Sequence, residues 1–152
     1  MGHFVTGIIT SEVDANEVAS VIPFKYFHKI NQGYVIFPLT DDLIDDRMPP
    51  PLNFCFDEFT YLSKELSEML MKASQDKYIL YLETEYFGGE GFQSVIVYRN
   101  YEVVFGPTKS ESGSISDALE FIGVAVDVGH YDAFQSVGLG SFRSSEELLD
   151  NA

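Results

Sequence analysis

Between Tyr78 and Phe105 the apolar and aromatic positions fall into three runs separated by turn-forming residues. Tyr78-Ile79-Leu80-Tyr81-Leu82 leads through Glu83-Thr84-Glu85-Tyr86-Phe87 to Gly88, Gly89 and Gly91; Phe92 to Tyr98 follows, then Arg99-Asn100, then Tyr101 to Phe105, stopped by Gly106-Pro107. β-Branched and aromatic residues fill the runs while glycine and proline fall between or after them, which predicts a three-stranded antiparallel meander. Alternation puts Ile79, Tyr81, Glu83, Glu85 and Phe87 on one face, and Leu80, Leu82, Thr84 and Tyr86 on the other. The first face turns polar halfway along. Glu83 and Glu85 are therefore expected in solvent near the glycine turn, with Leu80 and Leu82 against a covering helix.

That helix is predicted over Phe59 to Ser74. Leu62, Leu66, Met69, Leu70 and Ala73 recur at three- and four-residue steps, and Lys64, Glu65, Glu68 and Lys72 lie mostly elsewhere around the axis. Upstream, Phe4 to Thr10 alternates as a short strand in which Gly7 permits a close approach or a bulge. Ser11 or Asp14 can cap a helix to Ser20 that Pro23 ends, and Tyr26 to Ile30 and Tyr34 to Leu39 flank Asn31-Gln32-Gly33 as a second hairpin. Asp41, Asp42, Asp45 and Asp46 crowd around Leu43 and Ile44 before Pro49-Pro50-Pro51, which reads as an exposed acidic loop followed by a stiff extended segment. Beyond Pro107, Thr108 to Ser114 reads as a mobile connection. Ser114 or Ser116 then caps a helix through Ile122, and Ser144 to Leu149 forms a short terminal helix. The expected fold is α+β: a single domain over residues 1–152, a mostly antiparallel sheet with one long helix packed on one face and short C-terminal helices.

Charge changes the picture more than length does. The chain has 24 Asp plus Glu against 9 Lys plus Arg, a formal net charge of -15. Nucleic acid and anionic membrane surfaces carry the same sign and are disfavoured as partners, whereas a basic protein is favoured. The lone cysteine, Cys55, excludes an intrachain disulfide framework and fits a reducing compartment. The first residues show no basic leader region, and no apolar run approaches the roughly 18 residues that span a bilayer, so a cytoplasmic setting is expected.

Candidate chemistry is sparse. The aspartates of 41–46 lack the spaced oxygen ligands, central glycine and terminal glutamate of a calcium loop. The glycines after Phe87 precede a strand-like run and no lysine, unlike a phosphate-binding loop. Glu83 and Glu85 share a strand face, as an acid/base pair can, and Cys55 could meet a histidine; but Cys55 reads better as a core or interface residue, and no hydrolase signature surrounds it. His3 is expected at a loose chain end, His28 in the hairpin, and His130 beside a carboxylate. No metal or cofactor is expected.

The run Glu83-Thr84-Glu85-Tyr86-Phe87-Gly88-Gly89-Glu90-Gly91 with Gln93-Ser94, then Ser116-Asp117-Ala118-Leu119 and Gly138-Leu139-Gly140, resembles small bacterial proteins of the polymorphic-toxin immunity type. The resemblance covers Leu82 to Leu149. It implies a protein without catalytic residues that neutralises a cognate toxin in the cytoplasm. The leading expectation is a non-catalytic acidic protein-binding module opposing a basic nuclease toxin. Asp41, Asp42, Asp45, Asp46, Glu83, Glu85 and Glu90 would supply charge, and Tyr86, Phe87 and Phe92 the apolar centre. The alternative is a small hydrolase using the carboxylate pair or Cys55.

Overall fold

Alternation along the strands sorts the two faces of one sheet into two separate cores. The computed structural model describes residues 2–150. Strands β1 (Thr6–Ser11), β2 (His28–Lys29), β3 (Tyr34–Leu39), β4 (Tyr78–Phe87), β5 (Glu90–Arg99) and β6 (Glu102–Ser110) are all antiparallel, in the order β2-β3-β1-β4-β5-β6. Helices α1 (Ala15–Val21), α2 (Asp41–Arg47) and α3 (Lys64–Ala73) supply Val18, Ile44, Leu66 and Leu70 to one core, with Ile8, Phe37, Ile79, Tyr81, Ile96 and Tyr98 of the sheet. Helices α4 (Ser114–Ile122), α5 (Ala133–Val137) and α6 (Ser145–Asp150) supply Ile115, Leu119, Val137 and Leu148 to the other, with Val5, Ile9, Ile36, Leu80, Leu82, Val95 and Val97. The α+β fold with its antiparallel sheet and long helix on one face is as expected. The assignment of strand faces is reversed: Ile79 and Tyr81 meet α3, while Leu80 and Leu82 meet α4. Both faces are covered, so the apolar alternation of 78–82 carries no sign of which helix lies on which side.

The long helix starts later than its periodicity predicts. Ser63 caps α3 by accepting the Leu66 N–H at 3.0 Å. The Thr60 and Tyr61 amides, expected inside the helix, donate instead to the carboxylate of Glu83. Residues 48–63 thus form an irregular strap between α2 and α3, fastened at its middle where Asn53 donates through its backbone and side-chain nitrogens to Glu65, at 2.7 and 2.8 Å. Phe59 is buried under the strap, its ring edge-on to Tyr81 at 5.4 Å between centroids.

Turn chemistry accounts for the meander. Gly88 and Gly89 take positive φ between the paired residues Phe87 and Glu90, and a Cβ at Gly91 would lie 1.8 Å from the Glu85 carbonyl oxygen. The second turn is shifted by one residue from the sequence reading. Asn100 and Tyr101 carry the positive φ values, and Arg99 pairs with Glu102. Gly106-Pro107 does not stop the third strand; β6 continues to Ser110 through two register shifts. Proline is tolerated because β6 is an edge strand whose outer side needs no N–H donor. The expected mobile connection is therefore strand as far as Ser110. Neither Ser114 nor Ser116 caps α4; the Gln93 side chain of β5 accepts the Ile115 N–H at 2.7 Å, and the Ser116 hydroxyl accepts from Ala133 at the start of α5. Gly7 sits where a Cβ would meet the Ile36 side chain at 2.7 Å, the close approach its position suggested.

His3 is not a loose end. Its Nε2 lies 3.0 Å from the Leu139 carbonyl and its Nδ1 2.7 Å from the Thr84 hydroxyl. A carbonyl only accepts, so Nε2 carries the proton and the neutral ring's Nδ1 accepts from Thr84. Burial lowers the imidazole's pKa, consistent with that neutral form.

Candidate functional site

Where α3 ends, the sheet face it covers becomes the floor of a cleft. Register places Thr6, Glu83, Ser94 and Lys109 side by side across β1, β4, β5 and β6. One step along each strand on the same face, Ile8, Tyr81 and Ile96 form the apolar row under the helix. Thr6, Glu83 and Ser94 are buried even so. The cleft has a volume of about 150 Å³, and its walls come from Thr40 and Asp41 at the start of α2, Glu58, Thr60 and Tyr61 of the strap, and Ser145 and Glu146 of α6. Phe4, Glu85 and Phe92 form its rim, and the Lys109 ammonium stands 4.7 Å from the centre of the Phe92 ring. Asp41, Glu58, Glu83, Glu85 and Glu146 bring five carboxylates to the cleft against one lysine.

Glu83 is the buried member and the correction that matters most. It was expected in solvent; instead one oxygen accepts the Thr60 N–H at 2.7 Å, and the other accepts the Tyr61 N–H at 3.0 Å and the Tyr81 hydroxyl at 2.6 Å. Burial raises its pKa despite the three bonds that pull the other way, and the neighbouring Glu85 charge adds to the rise. The same surroundings push the Tyr81 hydroxyl well above its ordinary value, through burial first and the Glu83 charge second. Tyr61 lines the same cleft, and its hydroxyl is raised by burial and then by the charges of Asp41, Glu83, Glu85 and Glu146.

The remaining expected site residues divide. The acidic 41–46 segment is helix, not loop: the Thr40 hydroxyl accepts the Leu43 N–H at 3.1 Å, Asp41 and Asp42 lie in the first turn, and Arg47 in the last. Acids at a helix N-terminus and a base at its C-terminus complement the backbone dipole. Thr40 as cap, with Ile44 and Met48 four apart, is the signal the sequence reading missed. Asp41 reaches the cleft, while Asp42, Asp45 and Asp46 are exposed on α2 outside it. Glu85 and Phe92 belong to the rim. Phe87 and Glu90 are exposed at the hairpin end, and Tyr86 is half-buried, its hydroxyl donating to the Glu111 carbonyl. Thr6, Glu58, Tyr61, Ser94, Lys109 and Glu146 were not anticipated, because register and the strap's path bring them together.

Cys55 is exposed on the strap, which rules out the core position of the two expected for it. His28 and His130 line a separate hollow of about 450 Å³ together with Lys29, which pairs with Glu12 at 2.9 Å. His130 lies 3.0 Å from the Ser136 hydroxyl and 3.7 Å from a carboxylate, that of Asp127 and not of the adjacent Asp132. Among the described residues no group of three or more His, Cys, Asp or Glu side chains is arranged to hold a metal ion, and no helix is long and apolar enough to cross a membrane. No protein-family model, curated protein or solved structure matches the chain.

Proposed function

We propose that this chain is a non-catalytic acidic protein-binding module of the immunity type, which neutralises a basic, nuclease-like toxin in the cytoplasm. One observation carries the reading: a cleft with five carboxylates, a single lysine and the aromatic surfaces of Phe4, Tyr61 and Phe92, in a chain of net charge -15. Carboxylates beside aromatic faces suit a guanidinium or ammonium group, which gains Coulomb attraction from the first and cation–π attraction from the second. The wider acidic surface, including Asp42, Asp45, Asp46 and Glu90, steers a basic partner toward that cleft. Phe87 and Phe92 offer an apolar contact beside it.

The hydrolase alternative has less support. Glu83 commits both oxygens to internal donors, and Cys55 stands apart from the hollow that holds His28 and His130. Affinity capture with the product of the neighbouring gene among the baits, followed by association and dissociation rates for the captured protein, tests the proposal. Reversing the charge at Asp41 and Glu85 should slow association about tenfold or more at low salt and change dissociation much less. Unchanged association rates, or a partner whose contact surface is acidic, would overturn it.

A further inference from the structure

We infer that Glu83 is a positioning residue: its carboxylate latches the 48–63 strap to the sheet and so builds the Thr60–Tyr61 wall of the cleft, while Glu85 and Asp41 remain the charges a partner meets. The inference rests on the docking reading above for its purpose, but not for its geometry.

A strap that crosses an open sheet end has backbone donors to place, and here two consecutive ones converge on a single carboxylate at 2.7 and 3.0 Å. Charge-assisted bonds of this kind are short and strong, and the third donor, the Tyr81 hydroxyl at 2.6 Å, fixes the carboxylate's own orientation. Tyr81 is fully buried beneath Phe59 of the same strap. The chain Tyr81, Glu83, Thr60 and Tyr61 therefore links the core to the cleft wall. Glu83 has only 8% of its surface exposed, so an approaching partner makes little direct contact with it. Glu85, two residues along the strand, is exposed and has no such bond among those described.

Glutamine substitutions test the division. In Glu83→Gln one acceptor oxygen becomes a donor nitrogen facing N–H groups. Amide hydrogen exchange should then speed up about ten- to hundredfold at Thr60 and Tyr61, while the amides of β1 and α4 keep their protection. In the unaltered protein the same two amides should be protected, a measurement that stands even if the variant fails to fold. Free exchange there, or an acceleration spread evenly over the molecule, would refute the latch. The second arm uses a hexa-arginine peptide as the probe, with affinity read by fluorescence anisotropy. Glu85→Gln should weaken binding at low salt with an effect that fades at physiological salt. Glu83→Gln should weaken it by a factor that persists, because a displaced wall is not screened. A Glu83 effect that fades with salt as the Glu85 effect does would make Glu83 a contact charge and overturn the inference. Absence of peptide binding by the unaltered protein would count against the docking reading alone, since amide exchange decides the latch without it.

Discussion

The two ends of one sheet face differ although the same strands build both. At one end Ile79, Tyr81, Ile96 and Tyr98 lie under α3, and the polar pair of Tyr98 with Ser67 at 2.7 Å is buried there, the Tyr98 hydroxyl pushed up to about 12 by burial. At the other end Thr6, Glu83, Ser94 and Lys109 occupy equivalent positions beneath the cleft instead of beneath α3. The difference arises in the strap rather than in the strands. Ser63 starts α3 after the residues that bond Glu83, and those residues cross the gap as an irregular chain whose amides need acceptors. A buried carboxylate is costly unless it receives hydrogen bonds, and backbone donors withdrawn from water need an acceptor, so each stabilises the other.

Mutations at the two ends should therefore separate cleanly. Leu66→Ala, under the helix, should lower unfolding free energy by about 2 to 5 kcal/mol in chemical denaturation, whereas Ser94→Ala on the cleft floor should cost less than about 1 kcal/mol. Equal losses would erase the distinction between core and cleft. Tyr81→Phe keeps the ring and deletes the hydroxyl that faces Glu83, and should cost about 1 to 3 kcal/mol because the partner left behind is a buried charge. Ser63→Ala, at the boundary, should cost about 1 kcal/mol by removing the cap of α3. Thr40→Ala should do the same to α2, and its effect on the cleft wall is read by the exchange of the Asp41 and Leu43 amides.

Protons give the smallest but most diagnostic effects. His3 is held neutral in the fold, its pKa below the usual 6.5, so the unfolded chain binds a proton first as pH falls. The stability it contributes is full above 6.5 and declines as pH drops through the lowered folded value. Glu83 has the opposite sign: its folded pKa lies above the usual 4.5, so its contribution is full below 4.5 and is lost as pH rises through the raised value. Denaturation midpoints measured against pH should thus lose part of their slope just below 6.5 in His3→Gln, and part of an opposing slope above 4.5 in Glu83→Gln.

Much of the fold was legible because period-two and helical patterns are local properties. The meander from Tyr78, the helix containing Leu66 and Leu70, and the polar switch at Glu83 could all be read from spacing. Even the glycine turn declared itself, since two adjacent positive-φ residues favour glycine. What spacing does not encode is pairing. Thr6 and Glu83 are 77 positions apart and become neighbours only through register, and nothing local marks Thr60 and Tyr61 as donors to Glu83 rather than as the first turn of a helix. The aspartates of α2 were misread for a different reason: clustered ahead of Pro49-Pro50-Pro51 they read as a loop, whereas the Thr40 cap and a favourable charge order hold them in a helix.

The place of β1 in the sheet has a consequence for how the chain matures. In chain order it comes first of the six strands of this sheet, yet it lies in the interior of the strand order, between β3 and β4. Its pairing with β3 closes a loop of modest length, so that half can form early. Its other edge stays open until β4 has been synthesised, with the strap and α3 emerging in between. During that interval the nascent sheet carries an unpaired apolar edge at Ile8 and Ile9, the kind of surface chaperones recognise and aggregates recruit. Folding should accordingly be limited by a long-range closure rather than by helix formation.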